Sequence, residues 1–517
     1  MKNIDEEFCF TDSAEEHIAH ARSYCFSVAQ KYWKTIRSST GVSWYIRPFR
    51  NVQLALDSKF EATACSTALR LSQLEPAYAG YELASQYMDL LPKNYRVRYG
   101  IYYTPINVVN AMIDEAKHNG INLKTARIID TSSGGSAFLA PLCREMKRDD
   151  LSDQAIVNDI ASRLTGVELD PFAAWLSQFL VDCELAFLAP TARKPKQIVL
   201  HTDALTISSD FFGQYDYIIG NPPYGKIPSY DVPHQRYDDI LFGIPNLYQL
   251  FYKLAFLLAR QNGFVHLITP TGFIGGQYFR ELRSYIENHA SAISFSFFDN
   301  RENIFNGVLQ ELVISLFRKR VQQRTTVIHS ISVDRDGYLT VSDIGLVHLN
   351  KKGSWVLPKT RNELAVAKLF RSSRHILSSI GYCIHTGYVV PHRSHGLLSN
   401  NKNVDARPMI WSEAIQDNGF EPDVAYSKGR LKWYSSDSQA GLIKEPVILI
   451  KRTSSKEQAR RIHAVLVDQS YIDKYGGFFA ENHVNVLKAT HDQCVDLIVI
   501  FRLLKTTIVD NLFRCIS

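Results

Sequence analysis

The sequence predicts an α/β protein built on a doubly wound, mostly parallel sheet, and three observations carry that prediction. Short apolar runs at Ile128-Ile129, Thr165 to Leu169, Ile198 to His201, Tyr215 to Ile219 and Phe264 to Thr269 have the length and continuous apolar character of buried parallel strands. Helical periodicity precedes or separates several of them, over Ile106 to His118, Phe172 to Leu188 and Leu247 to Gln261. Several runs also end in polar, chemically capable residues, and in such sheets ligands bind at the carboxyl ends of the strands.

In chain order, residues 1–90 read mostly as helix. Ser13 with Glu16 has capping-box spacing, and apolar positions recur at helical period to about Ile36. The alternating strand and helix texture starts near Arg127. Between Ile331 and Thr360 the turn signals Asp336-Gly337 and Lys352-Gly353 suggest a domain boundary. The expected organisation is a helical region over 1–95, a catalytic α/β domain over 96–335 and a mixed α/β domain over 336–517.

Length and composition set outer limits. A chain of 517 residues implies two to four domains, and 45% hydrophobic with 21% charged residues argues against a disordered protein. The 58 basic and 52 acidic side chains give +6, but unevenly. Residues 1–350 hold 34 basic and 37 acidic groups, a net of −3, and residues 351–517 hold 24 and 15, a net of +9. A basic last third suits a polyanionic partner or simply a soluble basic surface, and charge alone does not choose. The eight cysteines show neither a C-x-x-C pair nor zinc-ligand spacing, so reduced thiols and no metal are expected. The start lacks a signal-peptide layout, and the apolar stretch Leu247 to Arg260 is too short to span a bilayer. These features lead us to expect a soluble intracellular protein with no membrane partner.

The most informative segment is Tyr215 to Tyr224, an apolar strand running into Asn221-Pro222-Pro223-Tyr224. Two prolines fix two φ angles and leave a turn whose carbonyls can only accept hydrogen bonds. The Asn221 amide offers a further acceptor and Tyr224 a flat face, a set suited to a planar group bearing an NH₂. Upstream, Ile128-Ile129-Asp130-Thr131-Ser132-Ser133-Gly134-Gly135-Ser136 is a strand followed by a small-residue loop, which brings backbone amides close to a ligand. Glu168 ends a second strand, where an acid commonly holds ribose hydroxyls, and Asp203 follows the end of a third.

Together these motifs resemble adenine-N6 DNA methyltransferases of the gamma arrangement, over about Tyr99 to Phe317. Gly100-Ile101-Tyr102-Tyr103-Thr104-Pro105 resembles the family's N-terminal cofactor motif, and Asp130 to Phe138 its glycine-rich loop. Thr131 replaces a usual Pro, and Gly134-Gly135-Ser136 stands where the family has Gly-Ser-Gly. Asn306-Gly307-Val308 after Phe305 resembles the late motif whose aromatic holds a flipped base. Thr386-Gly387, Lys451 to Arg461 and Glu481-Asn482-His483 resemble modification methylases of the PstI and BsuBI type.

The resemblance implies a Rossmann-like methyltransferase domain that binds S-adenosylmethionine through Tyr103, Thr104, Asp130, Ser132, Gly134, Glu168, Leu169 and Asp203. Asn221, Pro222, Pro223 and Tyr224 would be catalytic, with Tyr224 and Phe305 stacking on the target adenine. The implied activity is site-specific methylation of adenine N6 in double-stranded DNA by a monomer in a bacterial cytoplasm, paired functionally with a restriction endonuclease. Arg393, Lys428, Arg430, Lys432, Arg452, Arg460 and Arg461, interleaved with Trp433 and Tyr434, are the candidates for DNA contact. The loop from Gly225 to Gly243, with Lys226, Pro228, Pro233 and Arg236, is a candidate to close over the displaced nucleotide. Enzymes acting on RNA adenine or a protein glutamine share the Asn-Pro-Pro-Tyr motif and form the first alternative. A non-catalytic DNA-binding subunit with the same fold is the second.

Overall fold

A computed structural model describes residues 14–49, 58–193, 195–227, 234–299, 311–320, 325–334, 338–349, 353–372, 376–394, 396–455, 458–490 and 495–516. Ser13, Pro228, Pro233, Phe305 with its motif Asn306 to Val308, Asp336-Gly337, Lys352, Lys456 and Glu457 lie outside the described residues. The chain forms two compact units, Met1–Lys359 and Thr360–Ser517.

In the first unit, nine strands make one sheet: β1 (Ile128–Asp130), β2 (Leu164–Glu168), β3 (Val199–His201), β4 (Tyr215–Gly220), β5 (Ala259–Pro270), β6 (Ala290–Phe298), β7 (Leu312–Lys319), β8 (Thr326–Val333) and β9 (Leu339–Val347). Their order is β3-β2-β1-β4-β5-β7-β6-β8-β9. The first five strands are parallel, as the apolar runs predict, whereas β7 lies antiparallel between β5 and β6. The chain crosses outward from β1 to β2 and β3, then returns to place β4 on the other side of β1. The β1/β4 junction is therefore a topological switch point, where a crevice opens at the strand ends.

The helices up to the Asn221–Tyr224 turn are α1 (Ala14–Thr40), α2 (Ser58–Leu71), α3 (Pro76–Leu90), α4 (Lys93–Tyr99), α5 (Ile106–His118), α6 (Leu139–Met146), α7 (Asp153–Arg163) and α8 (Pro171–Leu188). Two more, α9 (His234–Tyr237) and α10 (Leu247–Leu258), follow it. α5 buries Ile106, Val109, Ile113 and Ala116, the stripe its sequence spacing predicts. α8 is apolar on nearly every side because it is enclosed: α1 and α3 cover it from one direction and the sheet from another. Its start is encoded locally, since Asp170 caps the helix by accepting from the Ala173 amide at 2.7 Å and Pro171 presets the first turn.

Two expected domain limits are corrected. Residues 1–95 form no separate unit, because α1 and α3 bury Tyr24, Val28, Trp33, Leu83 and Tyr87 in the same core as α8 and the sheet. The second unit begins at Thr360 rather than 336, because β9 pairs antiparallel with β8 from Thr326↔Val347 to Val333↔Leu339 and so completes the first unit's sheet. The helix expected to reach Gln261 ends at Leu258, where β5 begins five residues ahead of its apolar stretch.

In the second unit a four-stranded antiparallel sheet runs in the order Tyr382–Thr386, Val484–Ala489, Val447–Lys451, Ala464–Val467. A smaller sheet joins Leu398–Ser399, Trp433–Tyr434, Arg407–Ile410 and Phe479–Ala480. Helices Arg361–Ser372, Leu497–Leu504 and Thr507–Arg514 complete the mixed α/β unit.

Candidate active site

At the switch point of the first unit lies a cavity of about 290 Å³. Its walls include Tyr103, Thr104, Ser132, Gly134, Glu168, Leu169, Asp203, Asn221 and Pro223, so segments more than a hundred residues apart in sequence meet there as the motifs predict. Asp130, Pro222 and Tyr224 stand behind this lining.

Hydrogen bonds weld the motifs together. The Asn221 side-chain amide donates from Nδ2 to Thr104 Oγ1 at 3.2 Å and to the Tyr102 carbonyl at 3.4 Å. Its backbone carbonyl accepts from Ser132 Oγ at 3.1 Å. With Nδ2 held by the 102–104 segment, the orientation of the amide is fixed and Oδ1 becomes its outward function. The Tyr224 hydroxyl donates to that oxygen at 2.5 Å and lies 3.2 Å from the Ile268 carbonyl of β5. One lone pair of Oδ1 remains for a substrate donor. Tyr224 is half-buried, edge-on to Tyr248, and burial raises its phenol well above the usual range, so it stays a neutral donor.

Two glycines are required by closeness. Gly100 has φ +64°, and a Cβ there would come within 2.2 Å of Pro223 Cβ. A Cβ on Gly220 would meet Asp130 Oδ1 at 2.7 Å. The strand ends of β1 and β4 thus touch through a glycine, which lets the cofactor-type loop and the Asn-Pro-Pro-Tyr turn share one crevice.

The three carboxylates differ in their surroundings. Asp130 is fully buried, accepts from the Ser132 amide at 2.9 Å through Oδ1 and leaves Oδ2 without a partner among the described residues. Burial pushes its carboxyl up to about 7. Glu168 accepts from the Gly134 amide at 2.8 Å and the Asp170 amide at 2.8 Å, one on each oxygen, and burial again pushes it up to about 7. Asp203 is partly exposed and caps the turn Ala204–Thr206 by accepting from the Leu205 amide at 2.9 Å. The Tyr103 ring lies against Gly134, where a Cβ would come within 2.7 Å of it, and its buried hydroxyl has no hydrogen-bond partner among the described residues.

Sequence reasoning missed several contributors. Leu205, Ile227, Leu247 and Phe251 line the cavity without any motif to mark them. Arg236, read as part of a closing loop, instead donates to the Leu205 and Ile207 carbonyls at 3.0 Å each, and Tyr237 donates to Leu205 at 3.1 Å. The base of that loop is also stapled, with the Leu247 amide donating to the Gly225 carbonyl at 2.8 Å. Among its described residues the segment is therefore docked on the Asp203–Ile207 wall rather than free. Among the described residues no group of His, Cys, Asp and Glu is arranged to hold a metal ion.

The cationic candidates of the second unit divide. Arg393, Lys428 and Arg452 are exposed. Arg430 is also exposed but pairs with Glu413 at 2.7 Å over the Trp411 ring, and Lys432 lies over Tyr426 with Asp423 at 3.7 Å. Arg460 is half-buried and donates to the Leu504 carbonyl at 3.2 Å. Arg461 is corrected as a DNA contact: it is buried, its Nε donates to Ser454 Oγ at 3.0 Å and its guanidinium covers the Phe513 ring. Trp433 and Tyr434, expected among the surface cations, are core residues of the small sheet.

With this geometry in place, comparison with known proteins locates its kin. Residues 163–305 match the model of the family described as Eco57I restriction-modification methylase. The Type II methyltransferase M.AccI of Acinetobacter calcoaceticus is 30% identical over 114 residues, which is 21% of each chain. The matched stretch thus spans about a fifth of that relative's length. Solved structures that share the fold include the Type IIL restriction-modification enzyme MmeI in complex with DNA (TM-score 0.52, 13% identity, 93% of this chain and 75% of that one) and the ATP-dependent Type ISP restriction-modification enzyme LlaBIII bound to DNA (0.53, 12%, 96% and 43%). Residues 163–305 are thus similar to restriction-modification methylases, and the chain shares its α/β fold with restriction-modification enzymes.

Proposed function

We propose that this protein is a site-specific DNA methyltransferase that transfers a methyl group from S-adenosylmethionine to N6 of adenine, within a restriction-modification system. The observation that carries the reading is the anchored Asn221 amide on the cavity wall beside Pro223, whose donor end is consumed by Thr104 and Tyr102 and whose acceptor oxygen keeps one lone pair beyond its bond from Tyr224.

The residues fit the cofactor on their own chemistry. Glu168 and Asp203 supply carboxylates for hydroxyl and amine donors, and Gly134, lacking a Cβ, lets the Tyr103 ring pack against the loop at the cavity wall. The Glu168 carboxyl, held near 7 by burial, ionises more readily beside a cationic ligand. Asp130 and Ser132 would shape the loop, with Tyr103, Thr104 and Leu169 forming further walls. When bound, S-adenosylmethionine supplies a methyl group activated by its sulfonium.

The chain's own part is to prepare the acceptor. The amine of adenine is a weak nucleophile because its lone pair is delocalised into the ring. If Asn221 Oδ1 and the Pro222 carbonyl accept its two hydrogens, electron density returns to nitrogen and the lone pair points away from the base plane. Methyl transfer then leaves a cationic nitrogen that readily loses a proton, so no strong general base is required. Orientation of this kind can contribute about 7–11 kcal/mol in favourable cases. Duplex DNA hides the amine, so the base must leave the stack at a cost of a few kcal/mol. Stacking on the Tyr224 face would offset roughly 1–3 kcal/mol of that cost. The basic second unit, through Arg393, Lys428 and Arg452, would hold the duplex. A bacterial cytoplasm and a cognate endonuclease belong to the same proposal.

Incubation with methyl-labelled S-adenosylmethionine and plasmid DNA, RNA or protein tests it. Label recovered as N6-methyladenine in DNA is the expected result. Label confined to RNA or to glutamine would favour the alternative acceptors, and no label anywhere would leave a DNA-binding subunit.

A further inference from the structure

The N-terminal helices carry no recognised motif, yet they reach the cofactor site through one residue. Asp170 is fully buried, and as a helix cap it needs only its bond from the Ala173 amide. A neutral Asn or Ser would cap as well. Instead, its carboxylate also accepts from Arg22 Nη2 of α1 at 3.2 Å, from the Tyr87 hydroxyl of α3 at 3.1 Å and from the Tyr95 hydroxyl of α4 at 2.5 Å. Arg22 further donates to the Tyr95 oxygen at 2.9 Å, so the three side chains form one connected group. On its other side, the Asp170 backbone amide donates to Glu168 Oε1 at 2.8 Å. A chain of hydrogen bonds therefore runs from α1 to the carboxylate that lines the cavity.

We propose that Arg22 is a positioning residue for Glu168, acting through Asp170 together with Tyr87 and Tyr95, so that the N-terminal helices set how the site grips the cofactor's ribose. The inference rests on the reading of Glu168 as the group that takes ribose hydroxyls. Arg22 also supplies a positive charge beside a buried carboxylate, and removing one partner of such a pair leaves the other uncompensated. The turn holding Asp170 would then relax, and Glu168 Oε1 would lose its fixed donor.

Calorimetric titration of the full chain with S-adenosylhomocysteine and with its 2′,3′-dideoxy analogue separates positioning from general support. Arg22→Met should weaken S-adenosylhomocysteine binding about 10-fold, the scale of one lost charge-assisted hydrogen bond, and Arg22→Lys should recover part of the loss. Tyr95→Phe, which removes one hydroxyl and leaves packing intact, should weaken binding about 3-fold. For the dideoxy analogue, which lacks the groups Glu168 would hold, both losses should shrink to less than about 2-fold. Equal losses for the two ligands, or none for either, would overturn the proposal. Absence of binding by the wild-type chain would instead overturn the cofactor reading on which the proposal rests.

Discussion

The two units answer to sequence reading in different ways. In the first, residues singled out for chemistry converge on one cavity: Thr104, Ser132, Glu168, Asp203 and Asn221 all face or brace it. In the second, residues singled out for charge scatter. Arg461 is interior, Arg430 is paired, and Arg393, Lys428 and Arg452 remain exposed. A strand-end motif fixes place as well as type, because the sheet delivers every such end to the same edge. A positive charge fixes only type, since long cationic side chains serve cores, ion pairs and ligands alike.

That contrast is sharpest at Asn221. Asn221→Ala should lower turnover at least about 100-fold, the scale of losing a preorganised polar group aimed at the reacting atom. Binding of S-adenosylhomocysteine, measured by calorimetry, should stay close to wild type because the carboxylates are untouched. Turnover near the wild-type rate would remove Asn221 from the mechanism.

A matched pair of substitutions breaks the comparison open in the second unit. Arg461→Ala should cost about 2 kcal/mol of stability by removing a buried side chain with its hydrogen bond and ring contact, while the salt dependence of DNA binding stays unchanged. Arg452→Ala should leave thermal unfolding unchanged and reduce the slope of log affinity against log salt by about one. The reverse assignment of effects would mean that burial is a poor guide to which cations meet DNA.

The buried carboxyls give the first unit a pH signature. Asp130 and Glu168 are held near 7, above the usual carboxyl range. Between about pH 4 and 7 the folded state therefore keeps protons that the unfolded chain has released, so stability falls as pH rises through this window. Denaturant unfolding of the ligand-free protein should show a loss of roughly 2–5 kcal/mol between pH 5 and pH 8 from the two groups together. A cationic ligand that favours the ionised carboxyls should flatten the slope. Stability that climbs across this range would contradict the burial assigned to these groups.

Much of the α/β frame was legible because strand length, apolar continuity and helical stripes are local properties, as at Ile106–His118 and Tyr215–Gly220. Pairing was not. The antiparallel β7 and the β8–β9 hairpin depend on partners far along the chain, and their apolar patterns do not state direction. The site was legible where a motif dictated backbone shape, and silent where a side chain arrived from elsewhere. Arg22 sits mid-helix in α1 with nothing in its surroundings to distinguish it from a solvated cation.

The smallest expected effect lies in the glycine-rich loop, where the order Gly134-Gly135-Ser136 differs from the Gly-Ser-Gly of the methyltransferases that the sequence resembles. Ser136 adopts φ +61°, a left-handed conformation that L side chains take only at a cost. Its hydroxyl is buried without a hydrogen-bond partner among the described residues, so the side chain brings no compensating interaction of that kind from them. Ser136→Gly should relieve about 1–2 kcal/mol of backbone strain and lose about 0.4–1 kcal/mol to the greater freedom of the unfolded chain. The net is a gain of about 0.5–1 kcal/mol, visible as a small rise in the unfolding midpoint. Gly135→Ala should do the opposite, since a Cβ there would meet the Ala84 Cβ at 2.2 Å. If Ser136→Gly destabilised the protein, the serine would have to hold the loop through its hydroxyl, and the departure from the family pattern would be a functional contact rather than a tolerated strain.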